Sequence, residues 1–365
     1  MPTIDGIIKA IEAVAPTWLQ ESYDNSGLQV GNRAAEAKAA LLCTDVTEAV
    51  IDEALARGCN LVVSHHPLLF HGLKRIDGSN AINRIVIKAI KNDIAIYSAH
   101  TSMDNAPQGV SHHNAKRLQL ANVEVLEPQP GRLMRLVVYT PRSHAEAVAK
   151  ALWKAGAGRY GNYDCCSFSA PGTGTFRALD GAHPFVGEQG ELHAEEEVRQ
   201  EFLIDTAMRH SITSALIAAH PYEEPAFDFI ALSNESHLSG SGVIGTIAPM
   251  PLTDFLEKVK AVMEVNTIKY SSPDPSKPVA KVALCGGAGA FLAQNAIAKG
   301  ADIYITGDVK YHDFLTYGEE ITIADIGHYE SEHFTKEIFY EIITEKFPNF
   351  ATYYSEIEKN PINFI

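Results

Sequence analysis

The chain has 365 residues, a length typical of two domains rather than of one small core. Its formal net charge of −15 disfavours unspecific binding to nucleic acid, which depends on basic surface, although it leaves room for an anionic small molecule in a cleft that holds a metal ion. The five cysteines include one adjacent pair and no CxxC pattern, so neither a disulfide framework nor a thiolate zinc site is expected.

The opening segment, MPTIDGIIKAIEAV, predicts an amphipathic first helix. It carries neither a basic leader nor a cleavage pattern, and no apolar run in the chain approaches the roughly 20 residues that span a membrane. A cytoplasmic location is therefore the default expectation.

The first third of the chain alternates between strand-like and helix-like segments. Apolar runs predict strands over 38–43, 60–64 and 93–99, and helical spacing predicts helices over 47–58 and 80–91. This βαβ alternation indicates an α/β fold with a mostly parallel sheet and helices packed against it.

A segment of different character follows, and its ends are marked by EPQPG and SGSG, which are typical of domain boundaries. Its order is a strand at RLVVYT, a helix, a strand at YDCCSFSA, a Gly/Pro-rich turn region, a strand at EVRQEFLID, a helix and a strand at AFDFIAL. This order predicts a ferredoxin-like α+β domain at 129–240 that interrupts a discontinuous α/β domain formed by 1–128 and 241–365.

The βαβ pattern returns near the C-terminus. Strands are predicted over 281–286, 301–307 and 321–327, with a helix at about 291–299 and a final helix through 338. A shift of 242 positions aligns the two stretches without gaps and places Cys43 on Cys285 and Ser64 on Thr306. We interpret this as two related βαβ lobes in one domain, although any two βαβ units share some likeness.

Histidines and carboxylates follow four predicted strands in succession. Ligands bind outside the carboxyl ends of strands in open α/β sheets, so these positions are candidates for chemistry. The residues that follow the four strands are His65 and His66, then His100 and Asp104, then Asp308, Lys310 and His312, and finally His328 and Glu332. A single pair of this kind is more often structural, but the concentration at one edge favours a metal site.

Spacing makes this prediction more specific. His100 and Asp104, like His328 and Glu332, show His-x-x-x-acid directly after a strand, which places both side chains on one face if the chain turns helical. Adjacent His65 and His66 rarely share one ion, but each could reach a different metal where Pro67 redirects the chain. Bridging carboxylates and two ions about 4 Å apart form a familiar hydrolytic arrangement.

Two other motifs allow more than one interpretation. Cys285-Gly-Gly-Ala-Gly289 resembles a phosphate-binding turn but lacks the GxGxxG spacing and a Walker lysine, so a tight strand-to-helix connection is favoured. The segment HPYEEP at 220–225 is either an interface or ligand loop, or simply a helix end stopped by proline.

The motifs SHHP, SAHTSMDNAPQGV, HPYEEPAFD, GDVKYHD and GHYESE, in this order, closely resemble the Nif-three-like family, also known as type 2 GTP cyclohydrolase I homologues. The resemblance covers essentially the whole chain. It implies a two-metal centre held by His65, His66, Asp104, His328 and Glu332, an inserted domain similar to PII and CutA proteins, and a ring-shaped homohexamer.

The resulting hypothesis is a divalent-metal-dependent hydrolase that acts on a GTP-like nucleotide or another phosphoester, with no membrane partner. His100 or His312 would move protons, and Lys310 could meet a phosphate. Mixed histidine and carboxylate ligands suit zinc, iron, manganese, cobalt or nickel. The alternative is a non-catalytic metal-binding protein with a regulatory or scaffold role.

Overall fold

The computed structural model describes residues 2–236, 238–272, 274, 276–363 and 365. By contacts the chain divides into two compact units, the first formed by Met1–Pro128 with His237–Ile365 and the second by Gln129–Ser236. Across the described residues, every helix is too short or too polar to traverse a lipid bilayer.

The strands are numbered in chain order within the described residues. Their bounds are β1 Gly27–Val30, β2 Ala39–Cys43, β3 Leu61–Ser64, β4 Ala95–Ser98, β5 Ala121–Pro128, β6 Leu133–Pro141, β7 Phe168–Arg177, β8 Leu192–Asp205, β9 Phe227–Ala231, β10 Gly240–Met250, β11 Lys269–Tyr270, β12 Val279–Leu284, β13 Ile303–Thr306, β14 Thr322–Asp325 and β15 Ala351–Tyr354.

The α-helices are numbered in the same way. Their bounds are α1 Ile4–Val14, α2 Glu48–Ala56, α3 Ala81–Lys91, α4 Thr101–Asp104, α5 Val110–Arg117, α6 Ala145–Lys154, α7 Arg209–Ala219, α8 Leu252–Met263, α9 Ala293–Ala298, α10 Tyr311–Tyr317, α11 His328–Glu332 and α12 Thr335–Lys346. Within the described residues, short 3-10 helices lead directly into α7 and α9.

The first unit contains the two related lobes that the sequence predicts. One sheet has the order β1-β4-β3-β2-β15 and is parallel except where the edge strand β1 joins β4. The other has the order β11-β14-β13-β12-β10-β5, with parallel pairing among β12, β13 and β14 and antiparallel pairing at its margins. In both sheets the three strands of the βαβ pattern are adjacent and in the same relative order.

Burial explains why these segments form the centres of the sheets. Every residue of β2, β3, β4, β13 and β14 is buried, as expected for parallel strands that are covered on both faces. Helix α1 packs Ile4, Ile7, Ile8 and Ile11 against the first sheet, and its first turn is capped by Thr3, whose hydroxyl accepts from the Gly6 amide at 3.1 Å.

The second unit has strand order β7-β8-β6-β9, with all neighbouring strands antiparallel. With α6 after β6 and α7 after β8, this is the β-α-β-β-α-β topology of a ferredoxin-like fold. Its core lies between one sheet face and the two helices and includes Leu136, Val138, Leu152, Phe202 and Leu216.

Three details of the sequence-based prediction differ from the structure. The first part of the predicted Gly/Pro-rich turn region, 171–177, belongs to the edge strand β7, where Pro171 is tolerated because only one side of the strand is paired, and the turn region itself is confined to 178–191. The second unit ends at Ser236, slightly before the SGSG segment that was expected to mark the boundary, and SGSG itself leads into strand β10. The predicted final helix is two helices, α11 and α12, which end at Lys346 rather than near Ile338.

Candidate metal centre

Five side chains that the sequence singles out converge within the first unit. Strand β3 ends at Ser64 and is followed directly by His65 and His66. Strands β4 and β14 lead into the short helices α4 and α11, which carry Asp104, and His328 with Glu332. The carboxyl ends of parallel strands from the two sheets therefore place their side chains against each other.

The Glu332 carboxylate lies between two groups of ligand atoms. Its Oε1 is 3.5 Å from His65 Nε2, which in turn is 3.7 Å from Asp104 Oδ1. Its Oε2 is 2.9 Å from His66 Nε2 and 3.0 Å from His328 Nε2. Each oxygen of one buried carboxylate thus faces a different set of side chains.

Four histidines of the site use Nδ1 to contact a protein oxygen, which leaves Nε2 directed at the centre. A carbonyl or carboxylate oxygen accepts, so each Nδ1 carries the proton. The pairs are His65 with the Ala99 carbonyl at 3.0 Å, His66 with Asp45 at 2.9 Å, His100 with Asp24 at 2.8 Å and His328 with Asp308 at 2.8 Å. Such outer partners orient imidazole ligands and raise their basicity.

Two buried atoms of the site lack a hydrogen bond within the described part of the chain. These are His65 Nε2 and Asp104 Oδ1, and both point into the centre. A buried polar atom without a partner is costly, and a metal ion would satisfy both atoms at once. The donor set of imidazole nitrogens and carboxylate oxygens also fits zinc, iron, manganese, cobalt or nickel.

The pKa values of these histidines and of Glu332 are shifted by their contacts with one another. Burial opposes protonation of His66, but hydrogen bonds to Asp45 and Glu332 outweigh it and raise the pKa of His66 to about 10. The hydrogen bond to Glu332 raises the pKa of His328 to about 9 against the effect of burial. Burial alone would raise the pKa of Glu332, but the neighbouring imidazoles hold it well below its ordinary value.

The glycine-rich turn after β12 makes room for Glu332. Gly287 has a φ of +62°, and a Cβ added there would lie 2.2 Å from Glu332 Oε1. The Gly287 amide donates to the Ser331 hydroxyl at 2.8 Å, so this amide is already paired. The turn therefore brings its backbone close to Glu332. This agrees with the interpretation of the motif as a tight strand-to-helix connection rather than a phosphate-binding turn.

Sequence reasoning missed Asp24 and Asp45, the carboxylates behind His100 and His66. Asp45 is the second residue after strand β2, so the rule that found the other candidates would also have indicated it. The Glu358 carboxylate holds the Asp45 loop by accepting from the amides of Thr44 at 2.6 Å and Asp45 at 2.8 Å. Asp24 lies in a loop before β1 and had no such signal.

The remaining candidates occupy different places. His100 comes within ligand distance of His65 and His66, and Asp308 contacts His328 from outside. His312 and Lys310 are exposed at the start of α10 and belong neither to the described groups of metal-ligating atoms nor to the residues that line the adjoining cavity.

A cavity of about 480 Å³ adjoins the centre. His100, Asp104, His328 and Glu332 form its polar floor, and Tyr23, Phe291, Glu21 and Glu127 form part of its wall. Among the described residues that line it there is no lysine or arginine.

Comparison with known proteins identifies relatives along almost the full length. The family model for Duf34/NIF3 (NGG1p interacting factor 3) matches residues 2–361. A protein of Halalkalibacterium halodurans and one of Bacillus subtilis, each named GTP cyclohydrolase 1 type 2 homolog, are 37% identical to the chain, with 98% of both chains covered in each comparison. A Bacillus cereus protein described as related to NIF3 is similar in structure, with 38% identity, a TM-score of 0.85 and coverage of 100% of this chain and 99% of that one.

Proposed function

Because this chain belongs to the Duf34/NIF3 family, we propose that it is a divalent-metal-dependent hydrolase with a two-ion centre. The observation that carries the proposal is the position of Glu332, whose two carboxylate oxygens face two separate groups of ligand atoms. A carboxylate so placed is suited to bridge two ions.

The grouping of atoms suggests how ligands are divided between the two ions. On this grouping His65, Asp104 and Glu332 would hold one ion, and His66, His328 and Glu332 would hold the other. Each set has three protein atoms, which leaves positions for water or substrate, as catalytic sites require.

Two divalent ions at this position would supply Lewis acidity and a water molecule acidic enough to react near neutral pH. His100 is the residue placed to move a proton, because its ring lines the cavity and its Nδ1 is held by Asp24. Burial opposes ionisation of Asp24, but hydrogen bonds from His100 and Thr101 keep its pKa well below the ordinary value. Asp24 therefore stays ionised and accepts the hydrogen bond that orients the His100 ring.

The substrate class follows from the cavity and from the relatives. The named relatives support a nucleotide such as GTP as the first compound to test. Tyr23 and Phe291 could stack on a base, whereas a phosphate chain would be neutralised by ions alone, because no lysine or arginine lies among the described lining residues. Uncharged amides and esters therefore belong in the same substrate panel.

A turnover assay distinguishes a hydrolase from a metal-binding protein with a regulatory or scaffold role. Metal-loaded protein should hydrolyse a member of the panel, metal-stripped protein should not, and Glu332→Gln should lose turnover while it keeps its fold by circular dichroism. Full activity in Glu332→Gln would refute the assignment. Stoichiometric metal without turnover on any compound would favour the non-catalytic role.

A further inference from the structure

The second unit contains a cavity of about 740 Å³ to which no role has been assigned. Residues from β6, β7 and β8 and from two loops line it. On β6 and β8, Tyr139 and Glu197 alternate with residues of the helix-covered core, so these two side chains lie on the opposite face of the sheet. The HPYEEP segment that the sequence analysis left open supplies Tyr222, Glu223 and Glu224 to the wall.

Three aromatic rings meet in this wall. The Tyr222 ring centroid lies 5.8 Å from that of Phe176, with an interplanar angle of 60°, and 6.3 Å from that of Phe185. All three rings line the cavity. A cation placed over the face of such a ring is attracted by the ring quadrupole.

The charge nearest the rings is the carboxylate of Glu197. Tyr222 donates its hydroxyl proton to Glu197 Oε1 at 3.0 Å, and no ion pair joins Glu197 to a basic side chain within the described residues. Glu197 is half-buried, whereas Arg177, Arg199, Glu223 and Glu224 are exposed. Arg199 is already paired with Glu201 at 3.0 Å. Glu197 is therefore a partly desolvated carboxylate beside aromatic rings, without an ion-pair partner among the described residues, while the exposed Arg177 lies elsewhere in the same lining.

Two glycines of β7 keep this space open. A Cβ on Gly174 would lie 2.1 Å from Glu197 Oε2, so only glycine allows the carboxylate to lie across this strand. A Cβ on Gly172 would meet nothing within 4 Å, so a larger side chain there could enter the cavity without a collision at its base. Gly172 thus provides a way to fill the site without altering its charged group.

We propose that this cavity binds a small organic cation, with its ammonium group held by Glu197 and by the faces of Phe176 and Tyr222. The proposal concerns a second site and does not depend on chemistry at the metal centre. It accounts for the aromatic ring of the HPYEEP loop, Tyr222, which a simple helix end would not require.

The test is calorimetric titration of the full-length protein with choline and, separately, with spermidine. We expect saturable binding of at least one of them, weakened about ten-fold or more by Glu197→Gln, which keeps an acceptor for Tyr222 but removes the charge. Phe176→Leu should also weaken binding, because it keeps apolar volume but removes a π face. Gly172→Leu should weaken binding by occupying the part of the cavity beside Glu197, which is the cross-strand partner of Gly172.

The matched control is Glu195→Gln. Glu195 is on the same strand and the same sheet face, but its carboxylate contacts His193 at 2.9 Å and does not line the cavity. Thermal unfolding of each variant tests whether the fold is kept. Three results would overturn the proposal: no binding of either cation, equal losses in Glu195→Gln and Glu197→Gln, or preferential binding of inorganic phosphate or AMP at the same residues.

Discussion

At the scale of single residues, the candidate metal centre is organised by the protein atoms that hold each candidate ligand from behind. The Nδ1 atoms of His65, His66 and His328 are all occupied by protein oxygens, so the rings cannot turn and their Nε2 atoms are held toward Glu332. Asp308 adopts a left-handed backbone with a φ of +54°, a conformation that aspartate tolerates better than most residues. A conformation of this kind persists where the surrounding structure requires it.

The first prediction concerns Asp45, the carboxylate that orients His66. In Asp45→Asn the charge that supports the imidazole is lost, so we expect metal affinity to fall about 10–100-fold while the fold is kept. Competition with a chelating dye measures the affinity. Asp52→Asn is the control, since Asp52 is 60% exposed and pairs only with Lys88 among the described residues. Equal affinities for Asp45→Asn and wild type would show that Asp45 does not support a ligand.

The sequence was informative about residues where a strand end positions them. His65, His66, Asp104, His328 and Glu332 follow buried apolar runs, and the structure brings all five together. Asp24 was not predictable, because it meets His100 across 76 positions of chain through a loop without regular pattern. His312 follows a strand in the same way as the others, but the helix α10 turns its side chain to the exterior.

At the scale of elements, the turn between β12 and α9 is a part of the site and more than a connection. Because Gly287 has no Cβ, the Glu332 side chain can lie close to the turn and reach between the two lobes. The hydroxyl of Ser331 accepts a hydrogen bond from the Gly287 amide. The short helix α11 and this turn therefore position the Glu332 carboxylate jointly.

The second prediction uses Gly287→Ala. The new Cβ would collide with Glu332 Oε1 at 2.2 Å, so Glu332 must move and metal binding should be lost or strongly weakened. The control is Gly300→Ala, where φ is +70° and a Cβ meets nothing within 4 Å. Both variants bear a similar backbone cost of about 1–2 kcal/mol, measurable as a lower free energy of unfolding. If both retain metal equally, the close approach has no functional role.

Strands formed by largely apolar runs could be predicted from the sequence. Strands that form only because they pair with a segment far away in the sequence could not. Strands β2, β3, β4, β13 and β14 are continuous apolar runs, and the sequence predicted each of them. Strand β15 lacks such a run and forms because it pairs with β2, from which it is separated by most of the chain. Strand β7 contains glycine and proline, which predict a turn unless an edge position is known.

At the scale of the whole molecule, the second unit leaves and rejoins the first at two neighbouring strands. Strand β5 ends at Pro128, strand β10 begins at Gly240, and these two residues are direct partners in the antiparallel ladder. The chain of the first unit could therefore be closed by a short hairpin. The ring-shaped hexamer implied by the family resemblance stays a prediction, which light scattering of the intact protein would test.

The third prediction follows from that geometry. Replacing residues 129–239 by Asn-Gly should close β5 and β10 with a two-residue turn and leave the first unit folded. Because the grouped ligands all lie in the first unit, we expect the shortened protein to take up the same amount of metal per chain as the full chain. Loss of metal in a shortened protein that remains folded by circular dichroism would show that the centre needs the second unit.

The central claim is that this site holds two ions, and it is tested most directly by metal content per chain. Mass spectrometry of protein purified without an affinity tag or added metal should find close to two ions per chain, and Glu332→Gln should hold fewer. A chain that contains no metal, and takes up none when zinc, iron or manganese is added, would contradict the account. The cluster of histidines and carboxylates would then be a structural feature of the fold.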